Sequence, residues 1–298
     1  MTLDDLMFKP DILKGQRILV TGGGTGLGKV MAEAFVMLGA VAYICGRRGG
    51  VLEETAKEIM DQHGGKCVPI ACDIRVPEAI SDMLDTIWSD GGALTGLVNN
   101  AAGNFISRTE DLSPRGFEAI SNIVFRGSFF VTLECGKRWI AQGKSGAVTS
   151  ILTTWVWNGG PFTVPSAMSK AGLNVMTQSL AVEWGPKNIR LNSIAPGPFP
   201  TEGAWARLNP TSAMGESSQP RNPMGRVGRM PELANLAVYL FAPGSEYVNG
   251  QTIAIDGADY QAGGGGFGQL RSWGDAEWEA ARSAIQGANE RDRAKRTV

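Results

Sequence analysis

Seven short runs rich in apolar and β-branched residues alternate with helical stretches along this chain. They cover residues 17–21, 41–45, 67–72, 96–99, 147–151, 189–194 and 252–255. Such alternation is typical of parallel strands joined by right-handed crossovers. Several runs lack polar alternation, which indicates a sheet covered by helices on both faces. The sequence therefore predicts an α/β fold with one doubly wound parallel sheet.

The composition excludes several classes of protein. The chain has 298 residues, 43% of them hydrophobic, with 28 basic and 29 acidic side chains. This hydrophobic share is too high for a disordered chain, and the near-neutral charge provides no general field for nucleic acid or an anionic membrane. We expect a globular enzyme that does not bind nucleic acid.

The cysteines and the single histidine further limit the possible location and chemistry of the protein. The four cysteines form no C-x-x-C pair, and no apolar run is long enough to span a membrane. We therefore expect reduced thiols, no membrane span and a cytoplasmic location. His63 is the one histidine, which argues against a Ser-His-Asp hydrolase and against a multi-histidine metal site.

Two segments interrupt the alternation of strands and helices. Residues 198–228 are rich in proline without a strand pattern, and a loop of this length is commonly a lid or a binding element. Residues 261–298 begin with a glycine run and continue as an amphipathic helix. We predict one domain over residues 1–260, including a lid at 198–228. A glycine-rich hinge and a helical tail follow it, and the tail should dock on its own subunit or a neighbour.

A glycine-rich segment, residues 21–28, joins the first predicted strand to an amphipathic helix. Glycines let backbone N–H groups approach a pyrophosphate, whose charge the positive end of the helix stabilises. The spacing Gly-x-x-x-Gly-x-Gly is longer than the usual Rossmann-type pattern, and no Gly-Lys-Ser/Thr follows it. We predict a Rossmann-type fold that binds a dinucleotide through Gly22, Thr25, Gly26, Leu27 and Gly28.

The residues after the second predicted strand indicate which dinucleotide binds. Arg47 and Arg48 stand where a carboxylate would bind the adenosine ribose, and a guanidinium can instead bind the 2′-phosphate of NADP(H). NADP(H) is the predicted cofactor, although two solvated arginines would produce the same pattern. Asp73, after the third predicted strand, is a candidate contact to adenine and equally a candidate capping residue.

Four segments in this order resemble the short-chain dehydrogenase/reductase family over about residues 13–260. They are the glycine segment, Asn-Asn-Ala-Ala-Gly at 99–103, Lys170, and Pro-Gly-Pro at 196–198. The resemblance implies that Asn100 and Ala101 border the adenosine side and that Lys170 binds the nicotinamide ribose. It also implies that the nicotinamide is flanked by Pro196, Gly197 and Thr201.

The chain departs from this family at the catalytic acid, the residue that donates a proton to the substrate. In the family a catalytic tyrosine usually stands four residues before the lysine, where this chain has Ser166. A serine hydroxyl is far less acidic than a phenol and does not replace it as a proton donor to a carbonyl. The four tyrosines of the chain all lie far from Lys170 in sequence.

Segments 99–107, 164–167 and 203–210 resemble the 2,4-dienoyl-CoA reductase branch of the family. In its mitochondrial type the resemblance places a tyrosine and an asparagine where this chain has Trp155 and Arg126. An indole N–H donates a hydrogen bond but does not ionise near neutral pH. Arg126 lies in an apolar stretch and either stabilises an enolate-like anion or pairs with a carboxylate at a subunit contact.

These observations predict an NADPH-dependent reductase of an unsaturated acyl thioester, a 2,4-dienoyl-CoA or an enoyl-CoA. Thr153, Thr154 and Ser166 are candidate hydroxyl donors beside Lys170, but for both threonines simple strand-end hydrogen bonding is the favoured interpretation. Arg207, Arg221 or Arg226 of the lid are candidates for the CoA phosphates. Two alternatives are a carbonyl reductase with an atypical site and an NADP-binding sensor without turnover. We expect a homotetramer or homodimer joined through the helices that carry Arg126 and Lys170.

Overall fold

Seven parallel strands form one sheet in the computed structural model of the chain, which describes residues 1–201, 222–263 and 268–294. Their order across the sheet is β3-β2-β1-β4-β5-β6-β7. The strands are β1 (Arg17–Thr21), β2 (Val41–Gly46), β3 (Lys66–Ala71), β4 (Gly96–Asn99), β5 (Gly146–Ile151), β6 (Ile189–Pro196) and β7 (Thr252–Ile255). The predicted doubly wound sheet is confirmed, with strand ends within two residues of those expected.

Helices connect these strands and continue beyond the last one. They are α1 (Gly26–Met37), α2 (Gly49–His63), α3 (Pro77–Gly91), α4 (Pro114–Ser121), α5 (Ser128–Gln142), α6 (Trp155–Asn158), α7 (Val164–Trp184), α8 (Met230–Phe241), α9 (Asp259–Ala262) and α10 (Asp275–Ala294). A π-helical segment, Asn122–Gly127, joins α4 to α5. Short 3-10 helices cover Leu3–Asp5, Thr109–Asp111, Gly185–Lys187, Pro243–Ser245 and Gly268–Ser272.

The two faces of the sheet are both covered. In β1, Ile18 and Val20 belong to a core cluster on one face, where Phe35 of α1 meets Phe241 of α8 with ring centroids 5.3 Å apart. Leu19 points to the opposite face and joins a second core cluster that includes side chains of α3 and α5. Successive strand residues face opposite sides of a sheet, so continuous apolar runs are what this two-sided burial requires.

The strand order places the ligand crevice. The chain runs outward from β1 to β2 and β3, and then returns to place β4 on the other side of β1. In a doubly wound sheet a ligand binds outside the carboxyl ends of the strands where the order reverses. The segments that follow β1, β4, β5 and β6 therefore line the candidate site.

The ends of the predicted lid come together. The backbone N–H of Gly228 donates to the oxygen of Pro198 at 2.9 Å, and a Cβ on Gly228 would lie 2.3 Å from the Phe199 ring. Most of the lid, with Arg207 and Arg221, lies outside the described residues. Arg226, a candidate for the CoA phosphates, pairs with Glu232 at 2.6 Å.

The tail contains the predicted helix, α10. Trp278 packs edge-on against Trp273 with ring centroids 5.1 Å apart, and Trp278 and Ile285 are 42% and 61% exposed. Docking of its apolar face therefore stays a prediction, as does a domain boundary at residue 260. Among the helices of the described ranges, none is long and apolar enough to cross a membrane.

Candidate active site

The turn between β1 and α1 leaves space for a ligand because it is built from glycine. Gly22 and Gly26 adopt φ angles of +65° and +56°, which other residues rarely do. A Cβ on Gly28 would lie 2.4 Å from the oxygen of Gly22. The Thr25 side chain makes no capping hydrogen bond at the start of α1. The first N–H groups of α1 are thus left for an anion, as a pyrophosphate-binding turn requires.

Asn100 holds this turn in place from the end of β4. Its side-chain Nδ2 donates to the oxygens of Thr21 at 2.9 Å and Gly22 at 3.1 Å. The Thr21 hydroxyl in turn accepts from the backbone N–H groups of Asn100 and Ala101, both at 3.0 Å. Asn100 and Ala101 therefore join β4 to the glycine turn. Direct contact with an adenosine stays a prediction.

Three arginines, Arg47, Arg48 and Arg75, follow the carboxyl ends of β2 and β3. Arg47 and Arg48 are exposed after β2, and neither guanidinium makes a hydrogen bond or ion pair within the described residues. Asp73 accepts three hydrogen bonds from the Arg75 guanidinium, at 2.9, 3.0 and 2.5 Å, and one from its backbone N–H at 3.1 Å. These bonds hold the pKa of Asp73 below its usual range, with a smaller effect from Arg47. The sequence reasoning did not identify Arg75, although the spacing Asp-x-Arg could have indicated it.

Lys170 lies in α7, and its side chain is buried against the end of β5. Its ammonium donates to the backbone oxygen of Ile151, and burial lowers the pKa of Lys170 to about 8. Ser166 lies one turn earlier in α7 and is also buried. The structure thus brings Ser166 and Lys170 together on one helix face, as their i, i+4 spacing predicts.

Thr153 supplies an unpaired hydroxyl two residues beyond Ile151, whose oxygen accepts from Lys170. Its Oγ1 is buried and has no hydrogen-bond partner in the described part of the chain, so strand-end hydrogen bonding does not account for it. An unsatisfied buried hydroxyl is costly, and a ligand oxygen at the crevice would satisfy it. Thr154 is buried and begins α6 without making a side-chain cap. Sequence reasoning could not separate these two neighbours.

Trp155 stands at the start of α6. A Cβ on Gly160 would lie 2.9 Å from the Trp155 ring, so the indole packs on this glycine. Trp157, two residues on, stacks against Tyr260 of α9 with ring centroids 4.5 Å apart. The structure therefore collects Thr153, Thr154, Trp155, Ser166 and Lys170 at one end of the sheet and adds an aromatic pair that the sequence reasoning missed.

Arg126 is not part of this cluster. It lies in the π-helical segment, is exposed, and donates to the oxygen of Arg75 at 3.3 Å. Its guanidinium also lies over the Phe130 ring, 5.1 Å from the centroid. The Arg126 side chain is therefore exposed, and it is not an unpaired guanidinium buried among the apolar residues of this stretch. Neither of these contacts involves Ser166 or Lys170.

The segment after β6 crosses from the strand ends toward the glycine turn. Pro196 pairs with Ile255 of β7 in the sheet, and a Cβ on Gly197 would lie 2.7 Å from the Asp256 Cβ. A Cβ on Gly26 would lie 3.4 Å from Thr201. Pro196, Gly197 and Thr201 therefore extend over the crevice. The glycine turn, the buried lysine and the unpaired Thr153 hydroxyl fit a nicotinamide dinucleotide, and the described residues contain no cluster suited to a metal ion.

Comparisons with known proteins find related enzymes over most of the chain. The family model described as Enoyl-(Acyl carrier protein) reductase matches residues 22–258. A probable, (3E)-enoyl-CoA-producing 2,4-dienoyl-CoA reductase of Caenorhabditis elegans is 44% identical, covering 94% of this chain and 93% of its own.

Two solved structures are also similar. A short chain dehydrogenase from Bacillus anthracis is 38% identical with a TM-score of 0.75, covering 83% of this chain and 98% of its own. A gluconate 5-dehydrogenase from Burkholderia cenocepacia, solved with NADP and tartrate, is 27% identical with a TM-score of 0.78, covering 84% and 98%. The chain therefore belongs to the short-chain dehydrogenase/reductase family and is an oxidoreductase.

Proposed function

We propose that this protein is an NADPH-dependent reductase of conjugated acyl thioesters, with 2,4-dienoyl-CoA as the substrate class. The observation that carries the proposal is the composition of the cluster at the end of β5. It offers a buried ammonium and an unpaired hydroxyl but has Ser166 where a phenol would protonate a ketone oxygen. The curated relative named as a 2,4-dienoyl-CoA reductase supports the same substrate class.

Reduction of a conjugated C=C bond needs stabilisation of an enolate oxygen more than it needs an acid at oxygen. When bound, NADPH would supply a hydride to the far end of the conjugated system, which would leave negative charge on the thioester oxygen. In the proposed site Thr153 donates a hydrogen bond to that oxygen, and Trp155 and Thr154 offer further donors. Water delivers the proton to the α carbon, which completes the reduction.

Lys170 and Ser166 have supporting roles in this proposal. Lys170 binds the nicotinamide ribose, and its positive charge favours negative charge developing nearby. Ser166, one turn away, orders the water that carries the proton. Pro196, Gly197 and Thr201 exclude bulk water from above the nicotinamide.

We assign the cofactor preference to Arg47 and Arg48. Both guanidinium groups are exposed and have no protein partner among the described residues, so they are free to bind a 2′-phosphate with charge-assisted bonds. Asp73, held by Arg75, would contact the adenine. The relative solved with NADP supports this cofactor.

We further propose that the chain forms a homotetramer or homodimer in the cytoplasm. Helices α5 and α7, with the π-helical segment, expose the large apolar side chains Phe125, Phe129, Met168, Val175 and Val182. Burial of these side chains against a second copy would be favourable, and Arg126 lies beside them at the same surface. All four cysteines are free and buried, which fits a reducing compartment.

The test is to mix purified protein with NADPH and follow loss of the reduced-nicotinamide absorbance. A 2,4-dienoyl-CoA, an enoyl-CoA and a 3-oxoacyl-CoA are compared, each with NADPH and with NADH. We expect the dienoyl-CoA with NADPH to give the highest kcat/KM. Faster turnover of the 3-oxoacyl-CoA would indicate a carbonyl reductase, and tight NADPH binding without any turnover would indicate a sensor.

A further inference from the structure

An aromatic pair lies on the side of the crevice away from the glycine turn. Trp157 and Tyr260 stack with ring centroids 4.5 Å apart and ring planes 25° apart. Trp157 belongs to α6, which follows β5, and Tyr260 belongs to α9, which follows β7. The pair therefore bridges the end of β6, which lies between those strands. Trp157 remains 41% exposed, so the stack presents a flat apolar surface.

Asp256 sets the position of Tyr260. Its two carboxylate oxygens accept from the backbone N–H groups of Ala258 at 3.0 Å and Tyr260 at 2.9 Å. Gly257 and Ala258 turn the chain with φ angles of +64° and +67°. Asp256 itself packs on Gly197, beside the predicted nicotinamide position. The tyrosine is thus held by a tight turn next to the reaction site.

The other tyrosines are placed elsewhere. Tyr43 is buried in β2 and donates to Asp90 at 2.6 Å. Tyr239 and Tyr247 precede β7 and lie toward its opposite end, and Tyr247 is fully exposed. Of the four tyrosines, all within the described residues, Tyr260 is therefore the one at the carboxyl ends of the strands.

The stack also lies close along the chain to the unpaired hydroxyl. The first turn of α6 places the N–H of Trp157 3.1 Å from the oxygen of Thr154, next to Thr153. A thioester whose oxygen accepts from Thr153 would have one arm directed toward this pair. The glycine turn lies on the cofactor side of the crevice. The part of the thioester that extends toward β6 and β7 is therefore the part that contacts the aromatic surface.

We infer that Trp157 and Tyr260 form the wall that binds the acyl chain and that Tyr260 determines chain-length preference. Methylene groups gain binding free energy in proportion to the apolar area they bury, whereas the charged phosphates of CoA gain nothing from such a surface. This inference rests on the proposed function, because it takes the substrate to be an acyl thioester. It adds a specificity-determining residue that neither catalyses nor binds the cofactor.

The test measures binding by calorimetry and, with a 2,4-dienoyl-CoA and NADPH, the kcat of each variant. Full-length wild type, Tyr260→Ala, Tyr260→Phe and the matched surface control Tyr247→Ala are titrated calorimetrically with butyryl-, octanoyl- and dodecanoyl-CoA in the presence of NADP⁺. We expect Tyr260→Ala to raise the Kd of dodecanoyl-CoA roughly tenfold and that of butyryl-CoA less than about twofold. Tyr260→Phe and Tyr247→Ala should match the wild type. Should the alanine variant not fold, Tyr260→Leu should show the same dependence on chain length with smaller amplitude.

Two results would overturn the inference. An equal loss at all three chain lengths would make the stack a general support of α6. A fall in kcat for Tyr260→Phe with unchanged Kd values would instead make the phenol a proton donor. The two proposals fail separately. Wild type that binds acyl-CoA without oxidising NADPH contradicts the proposed function alone, whereas turnover without chain-length dependence contradicts this inference alone.

Discussion

Replacing Lys170 by methionine should abolish turnover and increase the free energy of unfolding of the cofactor-free protein. Lys170 is only 4% exposed, and its ammonium donates to the oxygen of Ile151. Burial lowers its pKa from 10.5 to about 8, because the charged form is poorly solvated inside the protein. Methionine keeps an apolar stem of similar length and has no charge to desolvate.

The pKa difference sets both the size and the pH range of the effect. One pKa unit corresponds to about 1.4 kcal/mol, so burying the ammonium costs about 3 kcal/mol of stability near neutral pH. The lost hydrogen bond to Ile151 offsets about 1 kcal/mol of the gain. The variant should therefore be more stable than the wild type by about 2 kcal/mol near neutral pH.

The sign of the pH dependence follows from where the proton is lost. The unfolded chain keeps the Lys170 proton up to pH 10.5, whereas the folded protein loses it near pH 8. Between these values the unfolded state binds more protons, so wild-type stability rises with pH. The advantage of the methionine variant should shrink over this interval.

Urea denaturation of both proteins, without cofactor, at several pH values measures this difference. Lys144→Met, at an exposed lysine, is the matched control and should show no comparable change. A Lys170→Met protein that is less stable than the wild type near neutral pH would refute the reasoning. So would a stability gap that stays constant between about pH 8 and 10.5.

Three further variants test other parts of the site. Replacing Arg47 and Arg48 together by alanine should raise the Kd of NADPH at least about tenfold by calorimetry and leave that of NADH unchanged; equal weakening of both would argue against 2′-phosphate binding. Thr153→Val should lower kcat/KM yet raise stability by about 1 kcal/mol in thermal unfolding, because the hydroxyl is buried without a partner; a stability loss would reveal a hidden partner. Gly28→Ala should cost about 1–3 kcal/mol and abolish NADPH binding, since its Cβ would lie 2.4 Å from the Gly22 oxygen; unchanged binding would mean that the turn adjusts freely.

The features that sequence predicts well are local. The strands follow from runs of apolar residues, and the pairing of Ser166 with Lys170 follows from helix periodicity. Arg126 shows the limit of prediction from helix periodicity. The π-helical segment changes which face of the helix a residue occupies, and an α-helical sequence pattern does not reveal it. Trp157 and Tyr260 become neighbours only after β5 and β7 are placed in the sheet, and no short-range pattern contains that information.

The π-helical segment also constrains the number of residues in the helical stretch that runs from α4 to α5. Each α-helical residue is rotated by about 100° from the one before it, and a π turn carries one additional residue. Deleting a single residue from Asn122–Gly127 would rotate Phe117 by that amount relative to the buried Ser128 and Thr132, the second of which accepts a hydrogen bond from Asn99 of β4. Helix α4 and helix α5 thus follow two separate angular frames, and a variant that loses the extra residue would have to reorient one of the two helices.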